Sequence, residues 1–118
     1  MRLPAGMKPP PELNLAENPM FTDGAYLFRN AAGKLQMLWS SFGDSGYAMG
    51  LATSQSGHVL GPWVQADEPI WPLNGGHGML LQTTKGQDYL VFHWPNQSPH
   101  ERAKLAPVRV TESGIVLL

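Results

Sequence analysis

From residue 25 onward the chain alternates short apolar runs with clusters of glycine, proline, asparagine, aspartate and serine, the pattern of strands joined by tight turns. Residues 25–29 and 35–41 flank the loop Asn30-Ala31-Ala32-Gly33 and predict a β-hairpin. A third strand is expected over 47–53, entered through Gly43-Asp44-Ser45-Gly46, and a fourth over 63–66, entered through a turn at 57–62. The order then recurs: strands at 78–82 and 88–93 around Thr84-Lys85-Gly86-Gln87, followed by weaker ones at 105–110 and 115–118. Residues 1–17 hold Pro4, Pro9, Pro10 and Pro11 without periodicity and read as an extended arm.

Two meanders in tandem imply a repeat. Sliding the sequence by 54 positions places Asp23 on His77, Gly24 on Gly78, Leu35 on Tyr89, Met37 on Val91 and Trp39 on His93. Four short strands in a unit of this length describe a propeller blade, and a small closed barrel or sandwich of the same eight strands is the rival arrangement. The division expected on the blade reading is a Pro-rich arm over 1–21, one blade over 22–73 and a second over 74–118.

Composition sharpens the picture. Glycine and proline, at 13 and 11 of 118 residues, favour strands and turns over helices. The net charge of -1 offers no basic field for a nucleic acid, and no apolar run nears the roughly 20 residues of a membrane span. The start Met1-Arg2-Leu3-Pro4 lacks a signal-peptide core, so the chain as written reads as soluble and unprocessed. With no cysteine there are no disulfides, thiolate ligands or cysteine nucleophile. Metal motifs of fixed spacing, phosphate-cradling glycine patterns and a Gly-x-Ser-x-Gly elbow are also missing from the sequence.

Asp23 and His77 each precede a glycine at the start of a meander's first strand, which is innermost in a propeller. Side chains there converge on the channel, where a carboxylate and an imidazole form an acid, base or metal-ligand set. The plainer alternative, left open by the pattern, is that Asp23 caps a turn and His77 fills a Gly-rich loop. Trp39 and His93 end second strands and are candidates for sugar stacking or for core packing, whereas Trp63 and Trp71 read as core. His58, His100 and Asp44 read as loop and turn residues.

These residues carry a resemblance. Residues 22–29 (Thr22, Asp23, Gly24 and the apolar run after them), then 33–42, then Ala52-Thr53-Ser54-Gln55-Ser56 with Gly61-Pro62-Trp63, resemble the penultimate blade of family 43 glycoside hydrolases. Gly75-Gly76-His77-Gly78, His93-Trp94-Pro95-Asn96 and Glu101-Arg102 resemble that family's final blade. The resemblance covers about residues 22–110. It implies a five-bladed propeller that cleaves arabinosides and xylosides with inversion. Asp23 falls where the family has the Glu of a Glu-Gly-Pro acid motif, here Asp-Gly-Ala, and His77 falls on an axial histidine that in many members holds a metal, commonly calcium. Trp39, His93, Trp94, Asn96 and Arg102 are the substrate-binding residues expected on this basis. The family's other two carboxylates come from earlier blades.

The expectation is therefore an all-β chain of two four-stranded antiparallel propeller blades, acting as a glycosidase on arabinose- or xylose-containing glycosides. A non-catalytic carbohydrate-binding assembly and an inactive propeller fragment are the alternatives. Two blades leave two apolar faces uncovered; burying about 500 Å² at roughly 25 cal/mol per Å² gives on the order of 12 kcal/mol before association entropy. A homo-oligomer completing a ring is expected, a trimer ahead of a dimer.

Overall fold

The computed structural model describes residues 22–43 and 46–118; the expected arm over 1–21, and Asp44 and Ser45, lie outside the described residues. The described residues form eight strands and no helix: β1 (Asp23–Arg29), β2 (Leu35–Gly43), β3 (Gly46–Ser54), β4 (Trp63–Gln65), β5 (Gly76–Gln82), β6 (Asp88–Trp94), β7 (Arg102–Val110) and β8 (Ile115–Leu117). They pair in chain order into two four-stranded antiparallel meanders, β1 to β4 and β5 to β8, the architecture of two propeller blades. The expected strands are all present, with β7 starting three residues earlier than its apolar run because pairing with β6 extends to Trp94 and Arg102.

The turns have local causes. Asn30 closes the first hairpin: its Oδ1 accepts the amides of Ala32 and Lys34, and Gly33 takes the positive φ the turn needs. Thr83 does the same for the β5–β6 turn, its Oγ1 accepting the Gln87 amide. The stretch from β4 to β5 follows the free edge of β3, with Ala66 donating to Leu51, Met49 and Trp71 exchanging backbone bonds, and Gly75 donating to Tyr47. This edge of β3 is thereby paired along its length.

Neither sheet has a core of its own. Leu38, Met49 and Leu51 of the first sheet pack against Leu90, Phe92, Ala106, Val108 and Ile115 of the second, with Tyr26, Phe28, Ile70, Trp71 and Leu80 around them. Contact runs through β5, which lies against β1, β2 and β3. Close approach requires Gly76, where a Cβ would sit 2.6 Å from the Tyr47 ring and 2.8 Å from Ser40 Oγ. Backbone bonds tie the far end of the seam, from Ala31 to Thr111, and side-chain amides do so from Asn30 to Glu112 and from Gln36 to Ser113.

The repeat register differs by one residue from the sequence alignment. Asp23 pairs with Ser40 and Tyr26 with Leu38, while Gly76 pairs with His93 and Met79 with Val91, each sheet carrying an extra residue in its first strand. Equivalent positions are thus Asp23 and Gly76, Gly24 and His77, Tyr26 and Met79, Ser40 and His93, a spacing of 53. The bulges explain the slip: the glycines at 24 and 78 align by identity, yet the positive φ occurs at Gly24 and His77. Because side chains alternate, one residue of register exchanges the two faces of a blade.

The shared core predicts unequal costs for like substitutions. Leu90→Ala, at a fully buried position, is expected to lower unfolding free energy by about 2–5 kcal/mol, and Leu60→Ala, exposed in the turn before β4, by about 0.5 kcal/mol or less. Urea titration followed by tryptophan fluorescence checks this.

Candidate functional site

The strand pairing brings Asp23, Ser40 and Tyr47 side by side at one end of β1, β2 and β3, and the start of β5 lays His77 over them. The Tyr47 hydroxyl donates to Asp23 Oδ1. Asp23 Oδ2 lies 3.9 Å from His77 Nδ1, with the imidazole exposed and the carboxylate partly so. Ser40, fully buried, accepts the backbone N–H of His77 at 2.8 Å through its Oγ, and its hydroxyl and the Tyr47 ring both border the space left open at Gly76.

Local backbone geometry sets this arrangement. His77 is non-glycine at φ 56°, a conformation that costs an L-residue about 1–2 kcal/mol, and it is secured by Ser40 and by Gly24 beneath it. At Gly24, φ 62° and a Cβ position 2.9 Å from His77 Cα leave room for glycine alone.

Tyr47 is held on all sides. Only 2% exposed, it stacks on His93 at 5.3 Å between centroids and 18° between planes, and it packs tilted against Phe42. Burial first, then the hydrogen bond and charge of Asp23, push its phenol well above the ordinary value near 10, with the nearby Ser40 hydroxyl working the other way. His93 Nε2 meets Asn96 Oδ1 at 2.9 Å, and Asn96 is anchored by its amide to the Asn74 carbonyl.

The residues expected from sequence therefore separate into groups. Asp23, His77, His93 and Asn96 meet at this end of the seam, and His77 and His93 also line a cleft of about 400 Å³ with Glu101 and Arg102. The Arg102 guanidinium donates to the carbonyls of Pro99 and Glu101. Trp39 lines a second cleft, of about 430 Å³ on the outer face of the first sheet, together with Asp23, Gly24, Trp63 and Gln65, its Nε1 donating to Gln65. Trp94 donates to the Leu73 carbonyl and, with Trp71, brackets the Lys104 ammonium at 5.1 and 5.5 Å. Tyr47 and Ser40 are the residues sequence reading missed. The available signal was the inward alternation of β2 and β3, which puts both on the face that Gly76 approaches.

For calcium, these residues offer little. The ion takes 6–8 oxygen ligands, and no group of three or more His, Asp or Glu that could hold a metal occurs among the described residues. Asp23 and His77 alone do not form such a site.

Fold and site together define a pair of propeller blades whose adjoining first strands bring an imidazole beside a carboxylate that a phenol from β3 holds by a hydrogen bond. Among solved structures, the chain is similar to an endo-arabinase from Bacteroides thetaiotaomicron, at 42% identity and a TM-score of 0.70 over 77% of this chain and 32% of that one. It also shares its fold with an endo-1,4-beta-xylanase from Bacteroides thetaiotaomicron, at 19% identity and a TM-score of 0.65 over 83% of this chain and 38% of that one. The chain thus spans about a third of the length of either. No family model and no curated protein matches it.

The raised phenol carries a pH dependence. Tyr47 keeps its proton in the folded chain after unfolded tyrosine has lost it, so stability is full below about pH 10 and falls as pH rises beyond. Ultraviolet titration should resolve Tyr47 as the last tyrosine to ionise, and Asp23→Asn, by removing the carboxylate charge, should bring its ionisation to lower pH.

Proposed function

We propose that the chain is the two-blade portion of a glycoside hydrolase of the family 43 kind acting on arabinose- or xylose-containing glycosides, with Asp23 as the general acid. The observation that carries this reading is the Asp23 carboxyl at the meeting of two blades, one oxygen engaged by Tyr47 and the other facing His77. The 42% identity to an endo-arabinase supports the substrate class. In the proposed reaction Asp23 protonates the leaving glycosidic oxygen while a second carboxylate activates water on the opposite face of the sugar. Inversion places the two carboxyls about 6.5–9.5 Å apart. That second carboxylate comes from a further blade. His93, Asn96 and Arg102, beside His77, supply hydrogen bonds to sugar hydroxyls.

One observation favours a second reading, in which sugar is bound and not cleaved: of the described carboxylates, Asp23 alone belongs to the hydrogen-bonded cluster. Hydrolysis and binding are separated by assaying aryl arabinosides and xylosides alongside calorimetric titration with arabino- and xylo-oligosaccharides. Turnover by the wild type with a loss of about 100-fold or more in Asp23→Asn is expected; binding without turnover selects the second reading, and equal turnover removes Asp23 from the mechanism.

The further blade is proposed to be a second copy of this chain. In the 53-residue register, the outer face of the second sheet (Met79, Val91) repeats the face through which the first sheet meets it (Tyr26, Leu38). The outer face of the first sheet (Leu27, Met37) likewise repeats the buried face of the second (Leu80, Leu90). Head-to-tail contact between copies then reuses the intrachain seam, and such contacts close rings when the rotation permits. Light scattering at low micromolar concentration should give an oligomer, a trimer ahead of a dimer; a stable monomer contradicts it.

A further inference from the structure

The geometry points to Tyr47 as a positioning residue that fixes the Asp23 carboxyl so that Oδ2, and not Oδ1, faces the reacting sugar; this rests on the glycosidase reading above. A carboxylate on a short side chain can turn about its own bonds, and an acid delivers its proton well only when one oxygen is held toward the leaving group. The Tyr47 hydroxyl donates to Oδ1 and thereby occupies it, leaving Oδ2 on the side of the exposed His77 ring. Tyr47 cannot follow a moving carboxylate. Its ring is stacked on His93, packed on Phe42, and closed in by Gly76, whose lack of a side chain makes space for it. Ser40, which borders the same space at Gly76, is itself tied to the His77 backbone. The fixed element is thus a buried phenol from β3 of one blade, braced by β5 and β6 of the next. A tyrosine serving packing alone would bury its ring in the same way and leave its hydroxyl to any nearby acceptor.

The test has two arms that fail separately. In the first, Tyr47→Phe keeps the ring and removes the hydroxyl; kcat for aryl arabinoside or xyloside is expected to fall about 10- to 100-fold with KM changed less than twofold. An unchanged kcat, or a loss carried by KM alone, overturns the proposal. The second arm needs no turnover. The buried Tyr47 hydroxyl proton should give a slowly exchanging downfield proton resonance in the wild type, absent in Tyr47→Phe and moved upfield in Asp23→Asn. No such resonance, or one unaffected by Asp23→Asn, overturns the contact. Absence of turnover in the wild type with the resonance behaving as described would sink the glycosidase reading and leave the Tyr47–Asp23 contact standing.

Discussion

Everything in this molecule depends on the burial of one sheet face against another across a seam that, along the start of β5, is too narrow for side chains on both sides. A four-stranded meander presents an apolar face that it cannot cover by itself, and here each covers the other's: Leu38, Met49 and Leu51 against Leu90, Phe92 and Val108. The first strand of the second sheet reaches this closeness by shedding side chains, with glycine at 75, 76 and 78. Gly78 sits directly on the Met49 thioether and Gly76 on the Tyr47 ring. The hydrophobic effect supplies the attraction, and glycine removes the steric obstacle to it.

The site is a by-product of the same seam. Because β5 lies on β1, β2 and β3, the start of β5 is carried onto the end of β1, and the imidazole of His77 comes to rest beside the Asp23 carboxylate. Two bulges in equivalent places turn the strand ends, one using Gly24 and the other forcing His77 into the left-handed region. Strain of that kind persists where surrounding contacts over-determine it. Those contacts are the Ser40 hydroxyl and the open space above Gly24. The polar groups at this end are satisfied by one another, the Tyr47 hydroxyl by Asp23 and the His77 amide by Ser40, so that a carboxylate is held firmly without a cationic partner on its own sheet.

Much of the fold was legible because its signals are local. Short apolar runs between Asn30-to-Gly33-like turns mark strands wherever they occur, and a chain of eight such runs in two similar sets leaves few arrangements. The proximity of Asp23 and His77 was legible too, since each stands at the start of a meander. The register of the repeat was not: a bulge inserts a residue without altering the apolar pattern, and the glycines at 24 and 78 align by identity although they play different parts, one granting a positive φ and the other a close approach. With the register shifted, Trp39 aligned with His93, whereas strand pairing sets Ser40 opposite that position and turns Trp39 to the outer face. Tyr47 escaped notice for another reason. Its role exists only across four strands, β1, β2, β5 and β6, and nothing in the residues next to it announces a partner 24 positions away.

That one seam both folds the two blades and builds the site is a testable property of the molecule. Residue-resolved urea unfolding by NMR tests it most directly, following amides of Leu38 and Leu51 in the first sheet, Leu90 and Val108 in the second, and the Tyr47 hydroxyl between them. A single midpoint shared by all five signals is the predicted result. Separate midpoints for the two sheets, or a Tyr47 hydroxyl that stays protected after the second sheet has unfolded, would contradict it.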